Sequence, residues 1–178
     1  MDLDNMVKEV KLVVNINDMP IRGLPGTYAR VYGVTSDIAV KCYLREDLGC
    51  PYPSVEGNLM WEYKIGTHLL ENGVQVPEMY GIRQLELPGI DKMVWCLFMQ
   101  RIDPVRFRNL NHDLQSDWIR QYEEQIKLAT DLGYDVIDTN SPAKNTLFDP
   151  SVPRLYLIDF VRWRNPNITL DADNHQNH

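Results

Sequence analysis

β-Branched and aromatic residues cluster along the first half of the chain in short runs that predict two β-hairpins. Four segments share this composition: 28–34, 38–43, 79–87 and 93–102. Thr35-Ser36-Asp37 separates the first two segments and Pro88-Gly89 separates the last two, and both sequences are typical of turns. Residues 8–16 alternate more loosely and predict a first strand or a strand-like lead-in.

A helix is predicted between the two hairpins. Ser54 is a favoured N-cap residue, and Glu56 falls in the first turn that follows it. Intervals of three and four residues then place four positions on one helical face: Leu59, Glu62, Ile65 and Leu69. Asn72-Gly73 is typical of a helix C-terminus and predicts where this helix ends.

The second half begins with another predicted helix, over about residues 114–132. Its predicted buried stripe has four members: Ile119, Tyr122, Ile126 and Ala129. Short segments and loops follow, of which residues 155–160 (LYLIDF) are the clearest strand.

Composition narrows the class of protein. With 178 residues, of which 44% are hydrophobic, the chain suits one domain or two small lobes that share a cleft. A net charge of -7 argues against nucleic acid as a partner, and no apolar run is long enough to predict a membrane span. The three cysteines lack CxxC spacing and the four histidines are scattered, so we expect reduced thiols, a cytoplasmic location and no histidine-based metal site.

The segment 24–31 (LPGTYARV) lies at the bend of the first hairpin and resembles the glycine-rich loop of protein kinases, G-x-G-x-x-G-x-V. Only Gly26 keeps its glycine, whereas Ala29 is a small replacement for the third one. The resemblance implies that this loop approaches the phosphates of ATP and that Val31 packs on the adenine. A Pro-Gly turn is also ordinary hairpin chemistry, so this motif alone decides nothing.

Ile38-Ala39-Val40-Lys41 resembles the third-strand lysine motif of the same family. The resemblance implies that Ala39 lines the nucleotide site, and that Lys41 contacts the α- and β-phosphates of ATP. Its implied partner is Glu62, which lies 15 residues before Pro77, about the distance found in kinase-like domains. The alternative is an edge-strand lysine and a solvated helix carboxylate, each without a functional role.

Asp159-Phe160, at the end of the LYLIDF segment, resembles the D-F-G segment of kinases, with Val161 in place of the glycine. Asn145, 14 residues before Asp159, begins a match to the N-x-L segment of the family. The resemblance implies that Asp159 and Asn145 bind Mg²⁺, a hard cation that prefers oxygen ligands.

The catalytic base is predicted to be Asp138. Gly133 precedes it by five residues, as in the helix–G-x-x-H-R-D run of the family, although Val136 and Ile137 replace His and Arg. The loop from Asp138 to Asn145 is then two residues longer than usual for the family.

Three other interpretations of this loop remain open. The usual spacing from the metal-binding asparagine would put Asn140, a neutral amide, at the base position. Asp135 is the second acidic candidate, and a chain without a competent base is the third possibility.

Met99, Gln100 and Ile102 fall where the adenine-binding hinge of a kinase lies. Together the motifs cover about residues 20–163 and imply an α+β, minimal bilobal protein-kinase-like fold. The expected N-lobe, 1–102, holds an antiparallel sheet and one helix, and the expected C-lobe, 103–178, is helical and strongly truncated.

The resemblance implies a Ser/Thr protein kinase that uses ATP and Mg²⁺. Compact effector kinases of enteric and plant-pathogenic bacteria are similar in size, which implies a virulence role, a host protein as substrate and delivery into the host cytosol by a route other than general secretion. Arg162-Trp163-Arg164 is a candidate docking surface for a protein, whereas Cys96 is expected in the core. The alternatives are a pseudokinase-like module that occupies a partner without catalysis, and phosphoryl transfer to a small molecule.

Overall fold

The computed structural model describes residues 29–43, 54–86, 91–137, 143 and 145–169. Its main element is an antiparallel sheet of four strands: β1 (Ala29–Gly33), β2 (Ile38–Tyr43), β3 (Met79–Glu86) and β4 (Met93–Gln100). Their order in the sheet is β1-β2-β4-β3, so the second hairpin adds to the first through β4. Both predicted hairpins are therefore present, while the predicted strand at 8–16 and the Pro88-Gly89 turn lie outside the described residues.

The turn between β1 and β2 forms because Thr35 satisfies the backbone donors that a tight turn leaves free. Its Oγ1 accepts hydrogen bonds from the amides of Asp37 (3.2 Å) and Ile38 (3.1 Å). Val34 N also donates to Ile38 O at 2.8 Å, which closes the loop. A threonine hydroxyl that bonds the backbone two residues on is a known turn former, and the turn lies at the predicted residues, Thr35-Ser36-Asp37.

Helix α1 (Val55–Glu71) begins and ends at the predicted residues. Ser54 Oγ accepts from Gly57 N at 3.0 Å and so satisfies one of the free amides of the first turn. At the other end Gly73 has φ +84°, a conformation that glycine adopts without strain.

The second half contains helix α2 (His112–Asp131) and a two-stranded hairpin of β5 (Thr146–Asp149) and β6 (Arg154–Leu157). Asn111 caps α2, since its Oδ1 accepts from Leu114 N at 2.9 Å, and the helix therefore starts two residues before the predicted position. No helix in the described ranges is long and apolar enough to cross a membrane.

The predicted buried stripe of α2 is wrong at Ile119, whose side chain is 39% exposed. Tyr122 and Ala129 are buried as predicted and Ile126 is half-buried, and the helix also buries Trp118, Gln121 and Gln125. This stripe is shifted because the two glutamines point inward and bond backbone groups that would otherwise be buried without partners.

Gln121 supplies most of these bonds. Its Oε1 accepts from Leu155 N at 2.9 Å, at one edge of β6, and its Nε2 donates to Pro153 O at 2.9 Å. Gln125 Oε1 accepts from Gln75 N, beyond the end of α1, at 2.7 Å. Polar side chains thus join α2 to the hairpin and to the chain that follows α1, a role that hydrophobic periodicity does not reveal.

The larger hydrophobic core lies between α1, α2 and the β5–β6 hairpin, and it includes a 3-10 turn at Phe160–Arg162 and the residue that follows it. That residue, Trp163, is 2% exposed, so its prediction as a docking residue is wrong. Its ring packs edge-on against Phe160, with centroids 5.2 Å apart. Its carbonyl accepts a hydrogen bond from Trp61 Nε1 of α1 at 2.9 Å, which ties α1 to the second half of the chain.

The sheet has hydrophobic residues on both of its faces. Cys96 is fully buried on the face opposite α1, as predicted for a core residue. It lies directly across from Cys42 in the β2–β4 pairing, with the two thiol sulfurs 3.2 Å apart and both thiols free.

The Trp61–Trp163 hydrogen bond gives a test of how α1 is held. Trp61→Phe should lower the free energy of unfolding by about 2–3 kcal/mol, because it removes a buried indole and leaves a buried carbonyl without its donor. Trp95→Phe, at a half-buried position of β4, should cost less than about 1 kcal/mol. Urea denaturation of both variants measures the difference, and equal losses would mean that the hydrogen bond to Trp163 is unimportant for stability.

Candidate nucleotide and metal site

Lys41 of β2 forms an ion pair with Glu62 of α1. Its Nζ lies 2.8 Å from Oε1 and 2.9 Å from Oε2 of the glutamate. The two side chains are 13% and 3% exposed, so this pair is largely removed from water. Strand alternation turns Lys41 toward the face on which α1 packs, and helical spacing brings Glu62 to the same face.

Asp159 is the third member of this charged cluster. Its Oδ1 lies 3.1 Å from Lys41 Nζ, although 118 residues separate the two in the sequence. The Asp159 side chain is 48% exposed, in contrast to the buried Glu62. Lys41 therefore lies between a carboxylate that is fixed in the interior and one that faces solvent.

The surroundings of Lys41 keep it positively charged. Burial alone would lower its pKa, but the charges of Glu62 and Asp159 and the hydrogen bond to Glu62 outweigh burial and hold the pKa well above its usual range. The result is a permanent cation in a site with little water, where its attraction for an anion is stronger than at a surface.

Asn145 and Asp159, the two predicted Mg²⁺ ligands, lie at the same end of the β5–β6 hairpin. Ile158 N donates to Asn145 O at 2.9 Å, one step beyond the last paired residues of the two strands. Among the described residues they are the only non-glycine residues with positive φ, at 57° and 66°. Such conformations are costly for residues with a side chain and concentrate at functional sites.

The donor set suits Mg²⁺ bound together with phosphates. One carboxylate and one amide oxygen supply hard ligands, and Mg²⁺ in such sites takes its remaining ligands from water and substrate. The part of the chain that the structure describes holds no group of three or more His, Cys, Asp or Glu that could bind a metal by itself. The two oxygen-bearing residues therefore fit a metal that takes its remaining ligands from water and a bound phosphate.

The predicted adenine-contacting residues form an apolar wall on the face of Lys41. Val31 of β1 lies directly opposite Lys41 in the sheet, and Met99 of β4 lies opposite Ala39. Residues directly opposite each other, or two apart on one strand, point to the same face, and Ala29 of β1 follows the same rule. The structure thus brings these residues together beside the cation.

The predicted hinge has part of its backbone already bonded within the protein. Gln100 N donates to Glu78 O at 2.8 Å, and Arg101 N donates to Asp37 O at 2.8 Å. Ile102 is 8% exposed. The amide hydrogens of Gln100 and Arg101 thus already have acceptors within the protein. A role of Gln100 in nucleotide binding stays a prediction, and it must use another atom of this residue.

Three predicted positions, Gly26, Asp138 and Asn140, lie outside the described residues. Asp135, the other acidic candidate for the base, is described. Its backbone forms an isolated bridge with Arg164, with N-to-O distances of 2.7 and 3.3 Å, and the residue is exposed. The backbone of Asp135 therefore attaches the end of the α2 segment to the chain that follows Asp159, and a role of its carboxylate as the base stays a prediction.

One residue of the cluster was missed in the sequence. Tyr43 donates a hydrogen bond from its hydroxyl to Glu62 Oε2 at 2.8 Å, and Lys41 Nζ lies 5.2 Å from the centroid of its ring. Strand alternation could have identified it, because Tyr43 lies two residues after Lys41 and so points to the same face of β2. Burial and the nearby Glu62 charge hold the pKa of Tyr43 well above its usual range, so the hydroxyl stays a donor.

Comparisons with known proteins agree with this arrangement at the level of fold. By sequence, no protein-family profile and no curated protein matches the chain. By structure, the chain is similar to the Cydia pomonella granulovirus kinase PK-1, at 13% identity and a TM-score of 0.50, over 96% of this chain and 60% of that one. Similarity to WbdD, at 13% identity and a TM-score of 0.48, covers 84% of this chain and 32% of that one.

The chain thus spans less than two thirds of the length of either structure. The match to WbdD is too weak to carry an argument, and the match to PK-1 at this identity bears on the fold alone. With the four-stranded antiparallel sheet, the two helices and the small second sheet, it defines an α+β, compact protein-kinase-like fold. The predicted fold class is confirmed.

The burial of Glu62 changes what the substitution of Lys41 should do. Lys41→Met leaves a buried carboxylate without its cationic partner, so the free energy of unfolding at neutral pH should fall by about 3 kcal/mol or more. The folded variant can remove this cost by binding a proton that the unfolded chain has already released, so its stability should rise as the pH is lowered from about 7.5 to about 5.5. Urea denaturation across this pH range measures the effect.

The matched control is the double variant Lys41→Met/Glu62→Gln, which has no buried carboxylate at this position. It should be more stable than Lys41→Met at neutral pH and should lack the gain at low pH. If Lys41→Met is as stable as the wild-type protein at all pH values, Glu62 is not the buried partner of Lys41.

Proposed function

We propose that this chain catalyses ATP- and Mg²⁺-dependent transfer of a phosphoryl group to serine or threonine hydroxyls of a protein. The single observation that carries the proposal is the cluster in which Lys41 Nζ contacts both the buried Glu62 and the exposed Asp159. Kinases place a lysine, its helix glutamate and a metal-binding aspartate together at the phosphates of ATP.

Glu62 is buried and Asp159 is exposed, and we assign the two carboxylates different roles for this reason. Glu62 is held in the interior by hydrogen bonds from Lys41 and Tyr43, so its role is to fix the position of the Lys41 side chain. Asp159 faces solvent and lies on the hairpin end with Asn145, where both can bind Mg²⁺. Lys41, between them, is placed to contact the α- and β-phosphates.

ATP supplies the phosphoryl group, and Mg²⁺ neutralises charge on its phosphates when bound. The chain contributes position and charge. Val31, Ala39 and Met99 offer an apolar face to the adenine, and the cation of Lys41 lies next to this face, so base and phosphates bind in a fixed relation. We assign Asp138 the role of base, which accepts the proton of the acceptor hydroxyl.

A protein as acceptor, and one that belongs to a host cell, stays a prediction from the sequence. The alternative function is a pseudokinase-like module that holds nucleotide and occupies a partner. The departures from the glycine-rich loop, with Ala29 at a glycine position, favour that alternative.

Incubation with radiolabelled ATP and Mg²⁺ in a host-cell lysate tests the proposal. The wild-type protein should label proteins on serine or threonine, and Asp159→Asn should lower the rate at least about a hundredfold, because it removes a metal-ligand charge. The matched control is Asp149→Asn, a change of the same charge at the far end of the same hairpin. It should label like the wild-type protein, and absence of label with the wild-type protein would favour the pseudokinase alternative.

The same assay identifies the base. If Asp138 is the base, Asp138→Asn should reduce the transfer rate by about tenfold or more with little change in the KM for ATP, and Asn140→Ala should have a mild effect. The reverse pattern, in which Asp138→Asn is tolerated and Asn140→Asp raises the rate, would assign the base position to residue 140.

A further inference from the structure

The hydroxyl of Tyr43 occupies a place that the proposed function does not yet explain. Tyr43 is 5% exposed, and its ring packs with Leu59 of α1 and Leu97 of β4. Ring packing alone would be satisfied by phenylalanine. The hydroxyl, however, reaches the Glu62 carboxylate at 2.8 Å, in an interior where a hydrogen bond to a charged group is stronger than one between neutral groups.

Lys41 and Tyr43 both donate hydrogen bonds to the Glu62 carboxylate, and its two oxygens accept different numbers of them. Oε1 has Lys41 as its partner at 2.8 Å, whereas Oε2 has both Lys41 at 2.9 Å and Tyr43 at 2.8 Å. Lys41 in turn is also drawn toward Asp159 at 3.1 Å. Any shift of Lys41 toward bound phosphates lengthens its contacts with Glu62, and only the Tyr43 hydroxyl would then remain on Oε2 among the bonds described.

We propose that Tyr43 is a positioning residue of the phosphoryl-transfer site: its hydroxyl fixes the Glu62 carboxylate so that Lys41 stays aligned when it contacts the phosphates. This inference rests on the proposed function. It assigns to Tyr43 no contact with substrate, since the residue acts through Glu62. A hydrogen bond from a fixed strand side chain holds the carboxylate in one rotamer, which a lysine with four rotatable bonds does not.

Tyr43→Phe tests the proposal, because it removes the hydroxyl and keeps the ring. The kcat for phosphoryl transfer should fall by about tenfold, with the KM for ATP within about twofold of the wild-type value, since alignment matters most in the transition state. Tyr32→Phe is the matched control. Tyr32 lies on β1 opposite Val40 and faces away from Lys41, so this variant should retain wild-type kcat.

A second readout does not depend on activity. Exchange of the Lys41 ammonium protons with water, followed by NMR of lysine-labelled protein and assigned with Lys41→Met, should be at least about fivefold faster in Tyr43→Phe. The reason is that loss of the hydroxyl opens space for water beside Glu62 Oε2. Tyr32→Phe should not change the exchange rate.

The outcomes separate the two proposals. Wild-type protein without transfer activity would overturn the proposed function, and the exchange rate would then decide the role of Tyr43 alone. Unchanged exchange and a kcat within twofold of wild type in Tyr43→Phe would overturn the positioning role, as would an equal loss in Tyr32→Phe. If Tyr43→Phe folds poorly, the loss of stability that it causes is measured again in the Glu62→Gln background. A loss of the same size there would mean that the hydroxyl does not act through the Glu62 carboxylate, and would also overturn the positioning role.

Discussion

A buried carboxylate on a helix is the constraint on which the rest of the site depends. Glu62 is 3% exposed, and a charge in such a place requires a cation and hydrogen bonds at short range. β2 supplies both through Lys41 and Tyr43, which fixes α1 against the sheet. The same helix is tied to the second half of the chain through Trp61 and the Trp163 carbonyl, so α1 is held against both the sheet and the second half.

The second constraint is backbone conformation at the end of the β5–β6 hairpin. Asn145 and Asp159 adopt positive φ values, where asparagine and aspartate are tolerated better than most residues but glycine is favoured. Glycine would relieve the strain and lose the two predicted oxygen ligands. That both strained positions carry oxygen-bearing side chains, one of them in contact with Lys41, is easier to understand if they bind a cation than if they only form a turn.

The sequence predicted what local chemistry determines. Ser54, Asn72-Gly73 and Thr35 act through neighbours in the chain, so the helix and the first turn could be placed from residue type alone. The pairing of Lys41 with Glu62 was predicted from family motifs, and the structure brings the two together. In helix α2 the burial of Tyr122 and Ala129 was predicted. The burial of Gln121 and of Trp163 was not, because their environments are set by partners distant in sequence, such as the backbone of β6 and the indole of Trp61.

The most direct test of this account is Mg²⁺-dependent binding of ATP, followed by thermal unfolding of the wild-type protein and of Asp159→Ala. A ligand at a hundredfold excess over its Kd stabilises the native state by about 2.7 kcal/mol, which should raise the Tm of the wild-type protein by about 5–10 °C. Asp159→Ala should lose the part of this increase that requires Mg²⁺. An unchanged Tm of the wild-type protein at millimolar ATP and Mg²⁺ would contradict the account.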